Sequence, residues 1–289
     1  MTDSFCPLRN KSKMSKHVVI TGANVGIGKA AAKLFLSKDF RVTIVGRSKE
    51  KLEAAKNELG NVEIGICDIS SQSSMDEFVK KVEPIDILVN NAGVWLNTYQ
   101  KTDLNQELTF QTNHLGTMYL TVKLMENNKF HDKASIIIVS SDLHKKGVDD
   151  LNFYDNLNEK NYSGNSAYCQ SKLYNLLLSL YLINNYVPEK YPEKNFKITT
   201  VHPGFIPTTE LSRNLNFFLS FIKNFVLPLF PFTTTVEDAA NRIYMAAIDE
   251  DSNGKYVGNK GYEDTSELAK DQEFATALWK KSVEILKLK

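Results

Sequence analysis

Tyr168-Cys-Gln-Ser-Lys172 sets a phenol and an ammonium four residues apart, so on a helix the two side chains share one face. Such a pair suits carbonyl chemistry. A free phenol has a pKa of about 10, too high to trade protons readily near neutrality. A neighbouring ammonium stabilises the phenolate and should bring that value down, which makes Tyr168 a candidate general acid/base. The competing reading is an ordinary solvated Tyr/Lys pair on a helix surface. From Ser166 to Ile183, Leu173, Leu176, Leu177, Leu180 and Leu182 form an apolar stripe uninterrupted by Gly or Pro, which predicts a long helix with a buried face.

Upstream, His17-Val-Val-Ile-Thr21 is a short apolar run suited to a buried parallel strand. It is followed at once by Gly22-Ala-Asn-Val-Gly26-Ile-Gly28 and an Ala-rich helix expected over Lys29 to Ser37. Glycines at this point let the backbone turn tightly and approach a pyrophosphate, while the helix N-terminus offers N–H groups to an anion. Gly22, Asn24, Gly26, Ile27 and Gly28 are therefore candidate cofactor contacts. The spacing departs from the G-x-G-x-x-G fingerprint, and three glycines between a strand and a helix can also serve only as a tight connection.

The next expected strand, Arg41-Val-Thr-Ile-Val-Gly46, ends where a dinucleotide site places its ribose-reading residue; an NAD-selective site wants a carboxylate there. Here Gly46 precedes Arg47, whose guanidinium could hold a 2′-phosphate, so NADP(H) is the expected cofactor; an ordinary surface cation is the alternative. Asp68, after Val62 to Cys67, is a candidate acceptor for the adenine amino group or a cap for the following helix. Asn90-Asn91-Ala92-Gly93 follows Ile85 to Val89. There the small residues Ala92 and Gly93 permit close approach to a ribose, and Asn91 can lock neighbouring strands.

Taken in order, Thr21 to Gly28, Asn90 to Gly93, Tyr168-x-x-x-Lys172 and Pro203-Gly204 resemble the short-chain dehydrogenase/reductase family over almost the whole chain. The resemblance implies a tetrad of Asn113, Ser141, Tyr168 and Lys172. Asn113, expected on the helix after the fourth strand, would anchor a proton-relaying water. Ser141 would polarise the substrate carbonyl, with the adjacent Ser140 as the competing assignment. Tyr168 would donate the proton, and Lys172 would tune it while binding the nicotinamide ribose. Pro203, Gly204 and Thr208 would lie against the nicotinamide, with Thr209 an alternative to Thr208. The long Ser141-to-Tyr168 connection, the Val201-His-Pro-Gly204 turn and Ala275-Thr-Ala-Leu-Trp279 resemble the retinol dehydrogenase and WW-domain-containing oxidoreductase branch. His144 and His202 read as loop residues rather than catalytic ones.

The fold expected is α/β: a single doubly wound Rossmann domain over 17–289 with a mostly parallel seven-stranded sheet and helices on both faces, after a polar extension over 1–16. Its last elements are a sixth strand over Phe196 to Val201, a helix over Thr235 to Ile248, a seventh strand over Lys255 to Val257 and a closing helix over Ser266 to Leu286. Residues 205–233 form an apolar, Phe-rich stretch broken by Lys223, Pro228 and Pro231. It reads as a lid over the substrate, with a membrane contact, a subunit interface or plain core as alternatives.

Charges nearly cancel across the 289 residues, 35 Lys and Arg against 34 Asp and Glu, and no like-charge block suggests nucleic acid as a partner. Cys6, Cys67 and Cys169 show neither a disulfide framework nor metal-ligand spacing, so no metal is expected. Cys169, beside the proposed acid, reads as a natural target for electrophiles. The first sixteen residues hold no apolar core of a signal or anchor, which favours a cytoplasmic enzyme that visits membranes or lipid droplets through the Phe-rich stretch; monomer and homodimer both stay open. The activity expected is NADP(H)-dependent reduction of an apolar aldehyde or ketone. The alternative is a catalytically silent NADPH-binding redox sensor.

Overall fold

A computed structural model describes residues 15–204, 206 and 234–288. In chain order the elements run β1 His17–Thr21, α1 Gly26–Leu36, β2 Arg41–Gly46, α2 Lys49–Leu59, β3 Glu63–Ile66, α3 Gln72–Lys81, β4 Ile85–Asn90, α4 Leu108–Phe110 and α5 Gly116–Glu126. They continue with β5 Phe130–Val139, α6 Gly164–Tyr181, α7 Val187–Lys190, β6 Lys197–Val201, α8 Val236–Ile248, β7 Tyr256–Gly258, β8 Gly261–Tyr262 and α9 Gln272–Leu286.

Successive residues of a strand point to opposite faces, and in the central strands both sets are apolar. In β1, Val18 and Ile20 enter one core and Val19 the other; in β5, Ile137 and Val139 go with the first, Ile136 and Ile138 with the second. A sheet apolar on both sides must be covered on both sides. Helices α1, α2 and α8 supply Phe35, Leu52 and Ile243 to the first core. Helices α3, α5, α6 and α9 supply Phe78, Met118, Leu173 and Leu278 to the second.

The strands lie in the order β3-β2-β1-β4-β5-β6-β7-β8, with every pair parallel except β7 with β8. The connection changes direction between β1 and β4, and a crevice opens at the carboxyl ends of those strands. The sheet has eight strands rather than the seven expected. The extra one is a two-residue return in which Tyr262 pairs with Val257, and a run of two residues carries no periodic signal.

Element boundaries shift for local reasons. Helix α1 begins at Gly26, inside the glycine segment, because Gly28 can already be helical. Helix α9 begins at Gln272 rather than Ser266, since Asp271 caps it and a separate 3-10 turn occupies Glu267–Lys270.

Packing of α1 on α8 holds the glycine segment in place, and Phe35 is its centre. Its fully buried ring meets Phe40 at 5.1 Å and Tyr244 of α8 at 5.2 Å, both edge-on. Phe35→Ala is expected to lower stability by about 3–5 kcal/mol, read as a fall in the urea unfolding midpoint.

Candidate active site

The first part of the site is a clamp across the crevice. The Thr21 hydroxyl oxygen accepts hydrogen bonds from the backbone N–H groups of Asn91 and Ala92, each at 3.0 Å. The Asn91 side-chain amide returns bonds to the carbonyl oxygens of Thr21 at 2.8 Å and Gly22 at 3.3 Å. These contacts draw the ends of β1 and β4 so close that side chains have no room. A Cβ on Gly28 would lie 2.6 Å from the Asn91 amide nitrogen and 2.7 Å from the Gly22 carbonyl oxygen.

Gly26 differs: it takes φ +55°, and a Cβ there would meet nothing within 4 Å. The helix that starts at this residue has no side-chain cap and no acid in its first turn. By contrast α2, α3, α6, α8 and α9 are capped by Ser48, Ser71, Ser163, Thr235 and Asp271. Uncapped N–H groups beside open space fit the pyrophosphate of a dinucleotide. Ile27 is half-buried against the first core. At the end of β2, Asn24 reaches over Gly46, its side-chain oxygen 3.4 Å from where a Cβ would be, and Arg47 is exposed.

Asp68, after β3, is not the cap of the next helix; Ser71 is. The Asp68 carboxylate accepts from the Ser70 N–H at 2.9 Å and the Ser70 hydroxyl at 2.7 Å, while its own N–H donates to Ser74 Oγ at 2.9 Å.

The second part gathers around α6. Ser140 and Ser141 follow β5 and meet α6 at different points. The buried Ser140 hydroxyl donates to the Lys172 carbonyl oxygen at 2.7 Å, whereas the half-buried Ser141 hydroxyl lies within hydrogen-bonding reach of the Tyr168 phenol. Lys172 Nζ lies 5.4 Å from the centroid of the Tyr168 ring and donates to the Val139 carbonyl oxygen at 3.0 Å. Gly93 sits between two members of this cluster: a Cβ there would lie 3.3 Å from Asn113 Oδ1 and 3.7 Å from Lys172 Nζ.

Asn113 lies in a π turn, Gln111–Leu115, rather than in a regular helix. Its side-chain oxygen accepts from the Val94 N–H at 2.7 Å, and its amide nitrogen donates to the Val94 carbonyl and to Ser171 Oγ, both at 3.0 Å. The neighbouring His114, fully buried, meets Ser282 of α9 at 3.2 Å and anchors the turn from behind.

Burial dominates the electrostatics. It pushes the Tyr168 phenol above its ordinary pKa, and the Ser141 hydrogen bond pulls the other way. The lowering expected from Lys172 is not the controlling effect: the phenol's shift is set first by burial and then by Ser141, and burial brings the ammonium itself down, to about 8. Cys169 is buried and its thiol is held above its ordinary value by burial, which corrects the expectation that it is primed for electrophiles.

The long connection from Ser141 to Tyr168 is tied to α6 at several points. Gln170 bonds both backbone groups of Val148, at 2.8 and 2.9 Å, and the hydroxyls of Tyr154 and Tyr174 donate to the carbonyls of Ala167 at 2.6 Å and Asp150 at 2.9 Å. His144 and His202 are structural and buried. The first bonds the Ser141 carbonyl at 2.8 Å and accepts from the Ser266 N–H at 3.1 Å; the second accepts from the Asp142 N–H at 3.2 Å. Gly204 takes φ +96°, and the Pro203 carbonyl accepts from Arg242 of α8. Thr208, Thr209 and the rest of the Phe-rich stretch lie outside the described residues, apart from the buried Ile206.

One residue at the site carried no reading from the sequence. Trp95 stacks on Tyr168 with ring centroids 4.7 Å apart and planes 11° from parallel. Its place two residues after Gly93 is the signal that could have found it. Among the described residues no helix is long and apolar enough to cross a membrane.

Residues 16–155 match the short chain dehydrogenase family. The chain is 32% identical over 295 residues to retinol dehydrogenase 14 of Homo sapiens, covering 91% of this chain and 84% of that relative. It is 32% identical over 293 residues to polyprenol dehydrogenase of Danio rerio, covering 95% and 87%. It also superposes on a crystal structure of an uncharacterized protein from Mycobacterium Paratuberculosis with a TM-score of 0.75 at 29% identity, covering 94% of this chain and 93% of that one. With an uncapped helix facing the crevice, a Tyr-Ser-Lys cluster beside it and relatives matched over most of their length, the chain belongs to the short-chain dehydrogenase/reductase family, oxidoreductases that act on alcohol or carbonyl groups with a nicotinamide cofactor.

Proposed function

We propose that this protein is an NADP(H)-dependent oxidoreductase that reduces an apolar aldehyde or ketone, with Tyr168 as general acid/base. The observation that carries this reading is the convergence of a buried phenol, the Ser141 hydroxyl and the Lys172 ammonium at one end of the sheet, beside the open N-terminus of α1. Bound nicotinamide supplies hydride to the carbonyl carbon. Ser141 donates a hydrogen bond to the carbonyl oxygen, stabilising the charge that builds there, and Tyr168 gives that oxygen its proton. Burial keeps the phenol protonated, the form in which it can donate to that oxygen.

Lys172 keeps an N–H on Val139, and its remaining N–H groups would be available to hold the cofactor ribose and the proton relay. Asn113 holds the backbone at Val94 next to that ammonium, and its segment is the candidate anchor for the relaying water. Gly22, Gly26, Gly28, Asn91, Ala92 and Gly93 form the dinucleotide groove. Asn24, Gly46 and Arg47 present no carboxylate to a 2′-phosphate and one guanidinium for it, which supports NADP(H). Asp68 is the candidate adenine contact, and Pro203, Gly204 and Thr208 are the candidates on the nicotinamide side. Retinol and polyprenol in the relatives' names support an apolar substrate.

Absorbance decay of NADPH and NADH with a panel of aldehydes and ketones tests the reading directly. NADPH is expected to be preferred, turnover to rise with substrate apolarity, and Tyr168→Phe to lower kcat/KM by about 10²–10⁴-fold. Tight NADPH binding with no turnover on any carbonyl would instead mark a nucleotide-binding sensor. Arg47→Ala is expected to cut the preference for NADPH over NADH by roughly tenfold, as loss of one charge-assisted phosphate contact should.

The buried ammonium has a signature in stability. Burial lowers the pKa of Lys172 from 10.5 to about 8, so between those values the unfolded chain binds more protons than the folded one. The cost of burying the charge is therefore whole below pH 8 and fades as pH rises to 10.5. Lys172→Met is expected to abolish turnover and to raise Tm at pH 7 by roughly 3 °C, a gain that shrinks between pH 8 and 10.5; paired thermal melts check it.

A further inference from the structure

We propose that Trp95 is a positioning residue for the reaction: its indole roofs the Tyr168 ring, keeps water from it and sets the pH range in which the phenol exchanges its proton. This rests on the reading of Tyr168 as the acid/base.

The chain on both sides of the indole is held against the tyrosine helix. On one side, Asn113 grips Val94 through both of its backbone groups, at 2.7 and 3.0 Å. The same amide donates to Ser171 Oγ, which in turn donates to the Tyr168 carbonyl at 2.7 Å. On the other side, the backbone of Leu96 lies against the first turn of α6, where a Cβ on Gly164 would fall 1.9 Å from the Leu96 carbonyl oxygen. Trp95 is thus bracketed between two residues whose backbones are fixed relative to the phenol. The near-parallel stack at 4.7 Å is the outcome, and it leaves Tyr168 only 8% exposed.

An indole over a phenol does two things. It restricts the ring, holding the hydroxyl where Ser141 meets it. It also removes water from one face, which disfavours the phenolate and raises the pKa. Among the described residues, three other titratable groups lie near the ring. Cys169 beside Tyr168 and Tyr256 of β7 are both held above their ordinary values by burial, and Lys172, brought down to about 8, lies 5.4 Å from the centroid of the same ring. Comparison of Trp95→Phe with Trp95→Ala therefore reads the stacked ring, since only the first keeps an aromatic cover on the phenol.

The experiment is the pH profile of kcat/KM for alcohol oxidation with NADP⁺, where the phenol must lose its proton, in the parent protein, Trp95→Ala and Trp95→Phe. Trp95→Ala admits water to the ring, so its profile is expected to move toward acid by on the order of one pH unit while kcat falls. Trp95→Phe, which can still stack, should return the profile to that of the parent. A Trp95→Ala profile that superimposes on the parent's overturns the proposal. So does a Trp95→Phe profile displaced as far as that of the alanine variant, since a stacked ring would then be irrelevant. Tyr168→Phe separates the two readings: if it keeps the parent's rate and profile, the assignment of Tyr168 as acid/base fails, independently of what stands at position 95.

Discussion

Burying an ammonium and a phenol in one pocket costs free energy, and the surroundings of α6 are organised around that cost. Lys172 is 4% exposed, and among the described residues its charge is met by a backbone carbonyl, that of Val139, rather than by a carboxylate. A carboxylate would pair with the ammonium and hold it charged. A carbonyl satisfies one N–H and leaves the group easy to discharge, which is why burial can bring its pKa to about 8. Asn175 donates to the same Val139 oxygen at 3.4 Å, and Ser140 pins the Lys172 backbone at 2.7 Å, so the lysine is positioned from both its ends.

The same economy runs through the nucleotide side. Helix N-termini need partners for their free N–H groups, and five of the longer helices take them from their own Ser, Thr or Asp side chains. Helix α1 does not, and Gly26 at its start leaves space where a side chain would stand. Meanwhile Gly22 and Gly28 are consumed by close packing against Ala92 and Asn91. Glycines of one motif thus do different work: two let β1, α1 and β4 close together, and the third leaves the opening. The clamp from Thr21 to Asn91 and Ala92 then couples the nucleotide groove to the segment through Gly93 and Val94 that Asn113 holds beside Lys172.

Much of this was legible in the sequence. The apolar runs of β1, β2 and β4, the glycines after β1, and the four-residue spacing of Tyr168 and Lys172 each follow from local rules of periodicity and turn chemistry. The preference for Ser141 over Ser140 rested on the resemblance alone, because both lie past the end of β5, where no strand period assigns a face. Asp68 was open between two readings, and the capping one went to Ser71, three residues on, since the helix starts later than a strand end alone reveals. The eighth strand and the π turn at Asn113 are too short and too irregular to leave a pattern.

The sequence by itself determined which groups are available and in what order the chain presents them: an alternating α/β pattern, a glycine turn without a following acid, and a tyrosine and lysine on one helical face. Those are properties of neighbours along the chain. Tertiary structure alone decided how water is kept from them. The rise of the Tyr168 pKa and the fall of the Lys172 pKa both come first from burial, and the groups that meet them are distant in sequence: Trp95 after β4 on the Tyr168 ring, Ser141 after β5 on its hydroxyl, and Val139 at the end of β5 on the ammonium. Desolvation sums over everything that surrounds a group, so no spacing of residues encodes it, and the stack of Trp95 on Tyr168 exists only because two distant backbone clamps bring them together.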